Sequence, residues 1–355
     1  LYLDQEPPLS IVFAIPDHPW VDTAEGADVR IGMTVVRFGQ HSGMLMTVTK
    51  ETATNVEEVS VELAQTRGMI AANLTTGIDL TSVVSLKAND SMSFQGVIPI
   101  GDGFRLSPLD LERLGLSLHD LPAVIRPFAI GRDVVQCPAE KYIIDFFGLT
   151  ETEAARLYPT LYQHVLVYVK PKRDQNRRDV RRRNWWLFGE NAPKMRGAIT
   201  GLDRYIATVE TSKHKPFVFL PANMCPDHKI YAIASDNAFI LGVLSSRAHQ
   251  VWAVAAGGTL EDRPTWTNTT CFLPYPFPAA DEAQQSRIRA IAEELDAHRK
   301  RQQALHPKLT LTGMYNVLDK LRTGEPLTKK DKTVHEQGLV SVLRQLHDEL
   351  DVAVA

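Results

Sequence analysis

The sequence predicts an α+β protein made of a β-hairpin, a mixed α/β domain and an α-helical C-terminal segment. Three observations carry this prediction. Apolar β-branched runs lie near the start, helix-capping motifs alternate with short strands in the middle, and helical periodicity dominates after residue 281. An apolar fraction of 44% over 355 residues is ordinary for a protein with a buried core. We expect boundaries at 1–40, 41–96, 97–280 and 281–355, with 41–96 as a surface connection.

The first segment predicts two paired strands. Ser10 to Ile15 is a short apolar run, and Val29 to Phe38 is rich in β-branched residues. Pro16 to Trp20 contains two prolines, which favours an end to the first strand there. The two runs are close enough in sequence to form an antiparallel hairpin at a sheet edge.

The middle segment alternates helix starts with strands. Ser107 precedes a proline and an acid and is typical of a helix N-cap, and Thr150 to Glu153 is a capping box that opens a helix to about Val167. Gly131 to Asp133 is expected to form a turn. Three short apolar runs predict strands, at Tyr205–Thr208, Phe217–Leu220 and Ile230–Ala234.

The last part of the chain is predicted to be mainly helical. Ser235 or Asp236 should cap an apolar helix that ends near Ala255, with Gly257 and Gly258 in the left-handed conformation beyond it. We expect one more strand and two more helices, with an apolar face on the second helix. These are Thr269–Leu273, Asp281–Ala304 and Gly338–Val354, and the face is Leu339, Val342, Leu343, Leu346 and Leu350.

Several protein classes are disfavoured by the composition. Cys137, Cys225 and Cys271 lie far apart without a CxxC motif, so they predict no disulfide framework and no metal site, and they fit a reducing, cytoplasmic location. The longest apolar stretch, 238–244, is too short for a membrane span. No Walker, HExxH or GxSxG motif occurs, so the sequence predicts no catalytic residue.

A basic run is the most distinctive feature of the chain. Residues 170–183 carry eight Lys or Arg against two Asp, a local net charge of +6, whereas the whole chain carries −3. Such a run with flanking aromatic residues is typical of a surface that binds a nucleic-acid backbone. The alternative is a solvated charged loop. Trp185 and Trp186 follow the run, where they could stack on bases or, as we favour, anchor the run to the core.

Several strings in order resemble one protein family. They are similar to the target-recognition region of the type IIL restriction–modification enzymes and of related adenine-specific DNA methyltransferases of BREX- and DISARM-type phage defence. The strings are RPF at 126–128 with Arg132, VKP at 169–171 with Arg173 and Asp174, WWLFGE at 185–190, LGVLSSR at 241–247 with His249 and Trp252, and GGTLE at 257–261 leading to PYPFP at 274–278.

The resemblance implies a DNA-recognition function. Residues 9–40 would be the last strands of a Rossmann-like methyltransferase sheet, and the cofactor and catalytic loops of the family would lie upstream of Leu1. We therefore expect the full-length protein to bind S-adenosylmethionine and methylate adenine N6 in antiviral defence, while this fragment binds no cofactor. Its partner would be double-stranded DNA, with other defence subunits as further partners and no membrane. The alternative is a non-catalytic DNA-binding module whose methyltransferase is on another chain.

Two kinds of DNA contact are expected. Glu261 and Arg263 follow the Gly-Gly turn, where the resembled family reads bases; Glu can accept from cytosine and Arg can pair with guanine. The alternative is a solvated hairpin tip with a Glu–Arg ion pair. Phosphate contacts are assigned to the nine cations Lys170, Lys172, Arg173, Arg177, Arg178, Arg181, Arg182, Arg183 and Arg132. Arg126 could also reach DNA or be structural.

Overall fold

The computed structural model describes residues 6–20, 29–55, 58–76, 83–260 and 263–355. The chain divides into two compact units, Leu1–Val84 and Ser85–Ala355. Residues 85–96, which we expected in the connection, lie in the second unit. The elements found are a mixture of small sheets and helices with a helical C-terminal region, so the predicted α+β class is confirmed.

The first unit is a four-stranded sheet in the order β2-β1-β3-β4. Its strands are β1 (Leu9–Pro19), β2 (Arg30–Phe38), β3 (Gly43–Asn55) and β4 (Glu58–Gly68). The predicted antiparallel pairing of the first two strands is confirmed. A small core of Ile11, Ala14, Leu45 and Ile70 holds the unit together.

Two expectations for this unit were wrong. β1 does not end at Pro16 but continues to Pro19, because an irregularity in register between Ile15 and His18 accommodates Pro16, and Pro19 is the last residue of the strand. Residues 47–55 and 58–65, expected to belong to a surface connection, form most of the paired strands β3 and β4. Most described side chains of this hairpin are exposed, so its strands carry the polar composition of a connection.

The second unit contains two four-stranded sheets and a small hairpin. The sheet orders are β10-β9-β12-β5 and β11-β7-β8-β6, and β13 pairs with β14. The strands are β5 (Ser93–Gln95), β6 (Arg105–Leu106), β7 (Ile125–Ala129), β8 (Tyr142–Ile144), β9 (Arg204–Val209), β10 (Val218–Pro221), β11 (Cys225–Pro226), β12 (Ile230–Ile233), β13 (Thr259–Leu260) and β14 (Arg263–Pro264). β9 lies between β10 and β12 in antiparallel pairing, which confirms the three strands predicted here.

Thirteen α-helices lie among the described residues of this unit. They are α1 (Pro108–Arg113), α2 (Gly131–Val135), α3 (Glu151–Leu157), α4 (Pro159–Tyr168), α5 (Lys170–Asp174), α6 (Asp179–Arg183), α7 (Pro193–Ile199), α8 (Ala238–Ser245), α9 (Arg247–Ala256), α10 (Glu282–Leu305), α11 (Leu311–Thr323), α12 (Lys329–Gly338) and α13 (Val340–Val354). The capping boxes at Ser107 and Thr150 are confirmed by hydrogen bonds to Asp110 and Glu153. Gly131 to Asp133 begins α2 instead of forming a turn.

Two predicted long helices are each divided in two. The helix expected from Glu151 breaks at Tyr158 because a residue before proline is disfavoured in the helical region. The apolar helix is capped by Asn237 and breaks at Ser246, which is extended. The carboxylate of Asp351 accepts from the Arg247 amide at the start of α9, so a residue 104 positions away stabilises the second helix.

The segment after α9 also differs from the prediction. Gly257 is extended, with φ −77° and ψ 171°, instead of left-handed. Glycine is needed there for close packing, since a Cβ atom would lie 2.3 Å from the Thr265 carbonyl oxygen. Residues 268–272 form a turn of π-helix and not a strand. The Asn89 amide holds this turn by donating to the carbonyls that follow it, including that of Tyr275 at 2.8 Å.

The C-terminal helices pack on α8 through closely approaching backbones. α10 lies against α8 and α13. The inner face of α13 is formed by Val340, Leu343, Leu346, His347 and Leu350, whereas Leu339 and Val342 of the predicted face are exposed. None of the helices in the described part of the chain is long and apolar enough to cross a bilayer.

Gly242→Ala should destabilise the protein because a Cβ atom at this position of α8 would lie 2.6 Å from Ile288 Cγ2. Overpacking of this kind costs about 1–3 kcal/mol. Gly197→Ala in α7 is the matched control, because a Cβ atom there meets nothing within 4 Å. The control should instead raise stability by about 0.5–1 kcal/mol. Urea unfolding of both variants measures the difference, and equal effects would contradict the close packing of α8.

His347→Gln should reduce acid sensitivity. Burial lowers the pKa of His347 to about 3 from its ordinary 6.5, with Arg299 and Arg322 acting in the same direction. The neutral ring is favoured in the fold, so this contribution is present above pH 6.5 and is lost as pH falls towards 3. At about 1.4 kcal/mol per pH unit, lowering the pH from 7 to 5 should cost the wild type about 2 kcal/mol more than the variant. His119→Gln, at an exposed position, is the matched control, and an equal pH dependence of the two variants would contradict the prediction.

Candidate nucleic-acid interface

The basic run forms two short helices on the surface of the second unit. α5 continues from α4 after Val169, and residues 175–178 lead into α6, whose last turn contains three consecutive arginines. Exposed positions predominate through both helices. The run is therefore a structured surface rather than a mobile loop between core elements.

Trp185 and Trp186 anchor the end of this run. Trp185 is buried, with its ring 5.4 Å from that of Tyr162 in α4. Trp186 is half-buried and donates from Nε1 to the carbonyl of Leu149 at 3.0 Å. Both indoles are used within the fold, so the anchoring alternative is the one that the structure favours over base stacking.

Arg173 is not a phosphate contact, which corrects our assignment. Its side chain is fully buried and its guanidinium donates to the carbonyls of Pro99, at 3.3 Å, and Leu187. Burial lowers the pKa of Arg173 to about 10, with a smaller effect from the charge of Arg181. The sequence suggested a DNA contact because the residue lies among solvent-facing cations, but it faces the opposite side of α5.

Six of the seven remaining cations of the run form ion pairs with carboxylates. The ion pairs are Lys170–Asp174 at 2.8 Å, Lys172–Asp102 at 4.0 Å, Arg178–Glu190 at 3.4 Å, Arg181–Glu190 at 2.5 Å, and Arg182–Asp179 and Arg183–Asp179, both at 2.8 Å. Arg177 is exposed. Glu190 and Asp102 lie outside the run, and sequence reasoning missed them because their proximity depends on the fold.

These carboxylates reduce the charge that the surface presents. With Arg173 buried, seven cations face four carboxylates, so the local net charge is +3 instead of the +6 counted along the sequence. Exposed ion pairs of this kind contribute about 0–1 kcal/mol each. A phosphate can therefore replace a carboxylate partner at little cost, and the surface remains suited to a polyanion.

Arg126 and Arg132 lie on β7 and α2, outside the two helices of the run. Arg132 is exposed on α2, which packs against β9 and α11, whereas α5 packs against α4 and α6. Arg126 is structural: it donates to the carbonyls of Asn223 and Ala222 and lies 3.4 Å from the buried Asp145 carboxylate. Arg132 therefore stands on a different element from the cations of the run.

One of the two candidate reading residues, Arg263, lies on the β13–β14 hairpin. Leu260 is paired with Arg263 and Thr259 with Pro264. Arg263 is exposed at the start of β14. Glu261 lies outside the described residues. The base of the hairpin is closed by a bond from the Thr265 amide to the Gly258 carbonyl at 2.8 Å.

No cluster of three His, Cys, Asp or Glu residues suited to a metal ion occurs in the described ranges. The titratable groups with large pKa changes are mostly buried ones, such as His249, whose pKa burial lowers to about 4. His249 packs between Phe217 and Tyr275 and bonds to the Leu244 carbonyl at 2.9 Å, which is a core environment.

Two comparisons with known proteins give matches. The family model described as MmeI, target recognition domain, matches residues 85–279. The fold is similar to that of the type IIL restriction-modification enzyme MmeI, whose structure was solved in complex with DNA, with a TM-score of 0.70 and 19% identity. That match covers 98% of this chain and 42% of MmeI, so the chain spans less than half the length of that enzyme. No curated protein matches the chain.

Removal of Arg177, Arg182 and Arg183 together, as a triple alanine variant, should make DNA affinity less sensitive to salt. Each phosphate neutralised contributes about 0.9 to the slope of log affinity against log salt, so the slope should fall in magnitude by up to about 2.7. The matched control is the alanine variant of Lys329, Lys330 and Lys332, which removes the same charge from exposed positions of α12. Equal slopes for the two variants, measured on duplex DNA, would mean that the run makes no phosphate contacts.

Proposed function

The chain belongs to the MmeI target recognition domain family, and from this we propose that it is the DNA-reading part of an S-adenosylmethionine-dependent adenine-N6 methyltransferase of a restriction or phage-defence system. The observation that carries the proposal is the family match over 85–279, which includes both the basic run and the β13–β14 hairpin. Target recognition by this part of the chain implies reading of DNA sequence.

The chemistry is assigned to regions outside this sequence. A methyltransferase that acts on a base must take it out of the helix, so the enzyme needs a separate surface to recognise the surrounding sequence. The sequence contains no glycine-rich cofactor loop, and its one Pro-Pro pair, at 7–8, is followed by Leu9 instead of an aromatic residue. We therefore assign S-adenosylmethionine and the methyl transfer to the remainder of the full-length protein, and the sheet of the first unit to the edge of its methyltransferase domain.

The basic run is assigned to the DNA backbone. Phosphate contacts set the position of a protein on the duplex and carry no sequence information. Arg173 is buried and Arg181 is partly shielded. The other six cations of the run lie on one structured surface, and the two tryptophans hold that surface to the core. This surface would bind the phosphate backbone and set the position of the protein on the duplex.

The β13–β14 hairpin is assigned to the bases. A two-stranded ribbon can enter the major groove, where Arg pairs with guanine and Glu accepts from cytosine. Arg263 begins the second strand, and Glu261 precedes it by two positions in the sequence. The two would then specify bases on either strand of one or two base pairs.

Methylome sequencing tests the proposal. Cells carrying the full-length gene should show one modified adenine motif that is absent without the gene. Arg263→Asp should change the base accepted at one position of that motif, because it removes the guanine partner and introduces an acceptor. Arg113→Asp, at an exposed end of α1, is the control and should leave the motif unchanged.

Each outcome has a distinct meaning. Absence of any modified adenine would overturn the methyltransferase assignment and favour a non-catalytic DNA-binding module of a defence complex. A motif that Arg263→Asp weakens at every position equally would overturn the reading role of the hairpin and leave the enzyme assignment intact.

A further inference from the structure

The segment between β9 and β10 is joined to the base of the β13–β14 hairpin. The Trp266 amide donates to the Glu210 carbonyl at 2.7 Å, and Thr211 forms an antiparallel bridge with Thr265. Trp266 itself is fully buried, with its ring near those of Phe217 and Tyr231. The chain leaving the hairpin is therefore fixed to the core immediately after its last strand.

A buried lysine occupies the space inside this junction. Lys215 is 5% exposed, and its ammonium donates to the carbonyls of Ser212 at 3.0 Å, Glu210 at 3.4 Å and Pro264. Pro264 is the last residue of β14. Within the part of the chain that the structure describes, no carboxylate oxygen lies within ion-pairing distance of this ammonium. Its charge is solvated by main-chain carbonyls.

The lysine is held in place from a second direction. Its own carbonyl accepts from Gln250 Nε2 of α9 at 3.0 Å. A buried ammonium is costly, and burial lowers the pKa of Lys215 to about 8, against smaller opposite effects of the charges of Cys271 and Glu210. An apolar side chain would fill the same space without that cost, so the function of the ammonium lies in what it connects: the 210–215 segment and the carbonyl at the end of the hairpin.

We propose that Lys215 is a positioning residue that sets the direction of the reading hairpin and thereby its base specificity. Pro264 is bonded directly to Arg263, so fixing the Pro264 carbonyl fixes the backbone from which the Arg263 side chain extends. The other end of the hairpin is fixed at Gly257, where only glycine fits beside the Thr265 carbonyl. Recognition of a nucleobase needs short, directed hydrogen bonds. A small shift at the foot of the hairpin therefore removes discrimination between nucleobases without removing phosphate contacts.

This inference rests on the proposed reading role of the hairpin. If Lys215 merely stabilised the fold, its removal would lower the melting temperature and would lower affinity for all DNA equally. A positioning lysine would, on removal, lower the preference for the cognate site while affinity for unrelated DNA is kept. The ratio of cognate to non-cognate affinity is therefore the readout that separates the two.

The test compares Lys215→Met with Lys213→Met in the full-length protein. Methionine has a similar length and no donor. Lys213 lies two residues away, has an exposed side chain and is bonded to Asn316 at 2.9 Å, so its variant makes the same charge change in the same segment. The measurements are affinity for duplexes carrying the modified motif or a single base change in it, and hydrogen exchange of the Thr265 amide.

Lys215→Met should lower discrimination at one base position at least tenfold, change affinity for unrelated DNA by less than twofold, and speed exchange at Thr265. Lys213→Met should keep discrimination. Equal losses for cognate and unrelated DNA, or equal discrimination in the two variants, would overturn the inference. Faster exchange at Thr265 with unchanged discrimination would overturn the specificity role of Lys215. If Arg263→Asp also failed to alter the motif, the reading role of the hairpin would fail with it.

A second variant covers the case in which Lys215→Met does not fold. Gln250→Leu removes the side-chain bond to the Lys215 carbonyl and leaves the ammonium in place. It should lower discrimination at the same base position by a smaller factor, on the order of threefold. Unchanged discrimination in this variant, with Thr265 exchange unchanged as well, would overturn the inference.

Discussion

Two buried cations that donate to main-chain carbonyls support the surfaces that we assign to DNA. Arg173 donates to the carbonyls of Pro99 and Leu187, and Lys215 to those of Glu210, Ser212 and Pro264. Burial lowers the pKa of both side chains, because it costs free energy to remove their charges from water. Each cation connects one surface element to the core, and the orientation of both surfaces depends on these connections.

The two surfaces differ in what they require from the fold. A phosphate contact depends mainly on charge, and the cations of α5 and α6 can exchange a carboxylate for a phosphate at little cost. A base contact depends on direction, because the donors and acceptors in the major groove have fixed positions. The hairpin accordingly has a closed base, with Gly257, Trp266 and Lys215 around it. Phosphate binding tolerates an exchange of ion-pair partners, whereas base recognition requires a rigid support.

Local features of the sequence were predicted well where one short-range interaction decides the structure. The capping boxes at Ser107 and Thr150 and the strand at 205–208 were found, because a cap or an apolar β-branched run is complete within a few residues. Two of the failed predictions concern places where a distant residue decides the structure. Asp351 caps α9 across 104 positions, and Asn89 holds the π-helical turn at 268–272 across more than 180.

The sequence by itself determined the fold class, the family resemblance and the position of the basic run. These depend on residue types and their order, which the fold does not change. Only the tertiary structure decided which cations face solvent, that the run is partly neutralised by Asp102 and Glu190, and that Arg173 and Lys215 are internal. Charge is a property of a residue, but exposure and partners are properties of the packed chain. A cation that binds DNA and one that holds the fold therefore look alike in sequence.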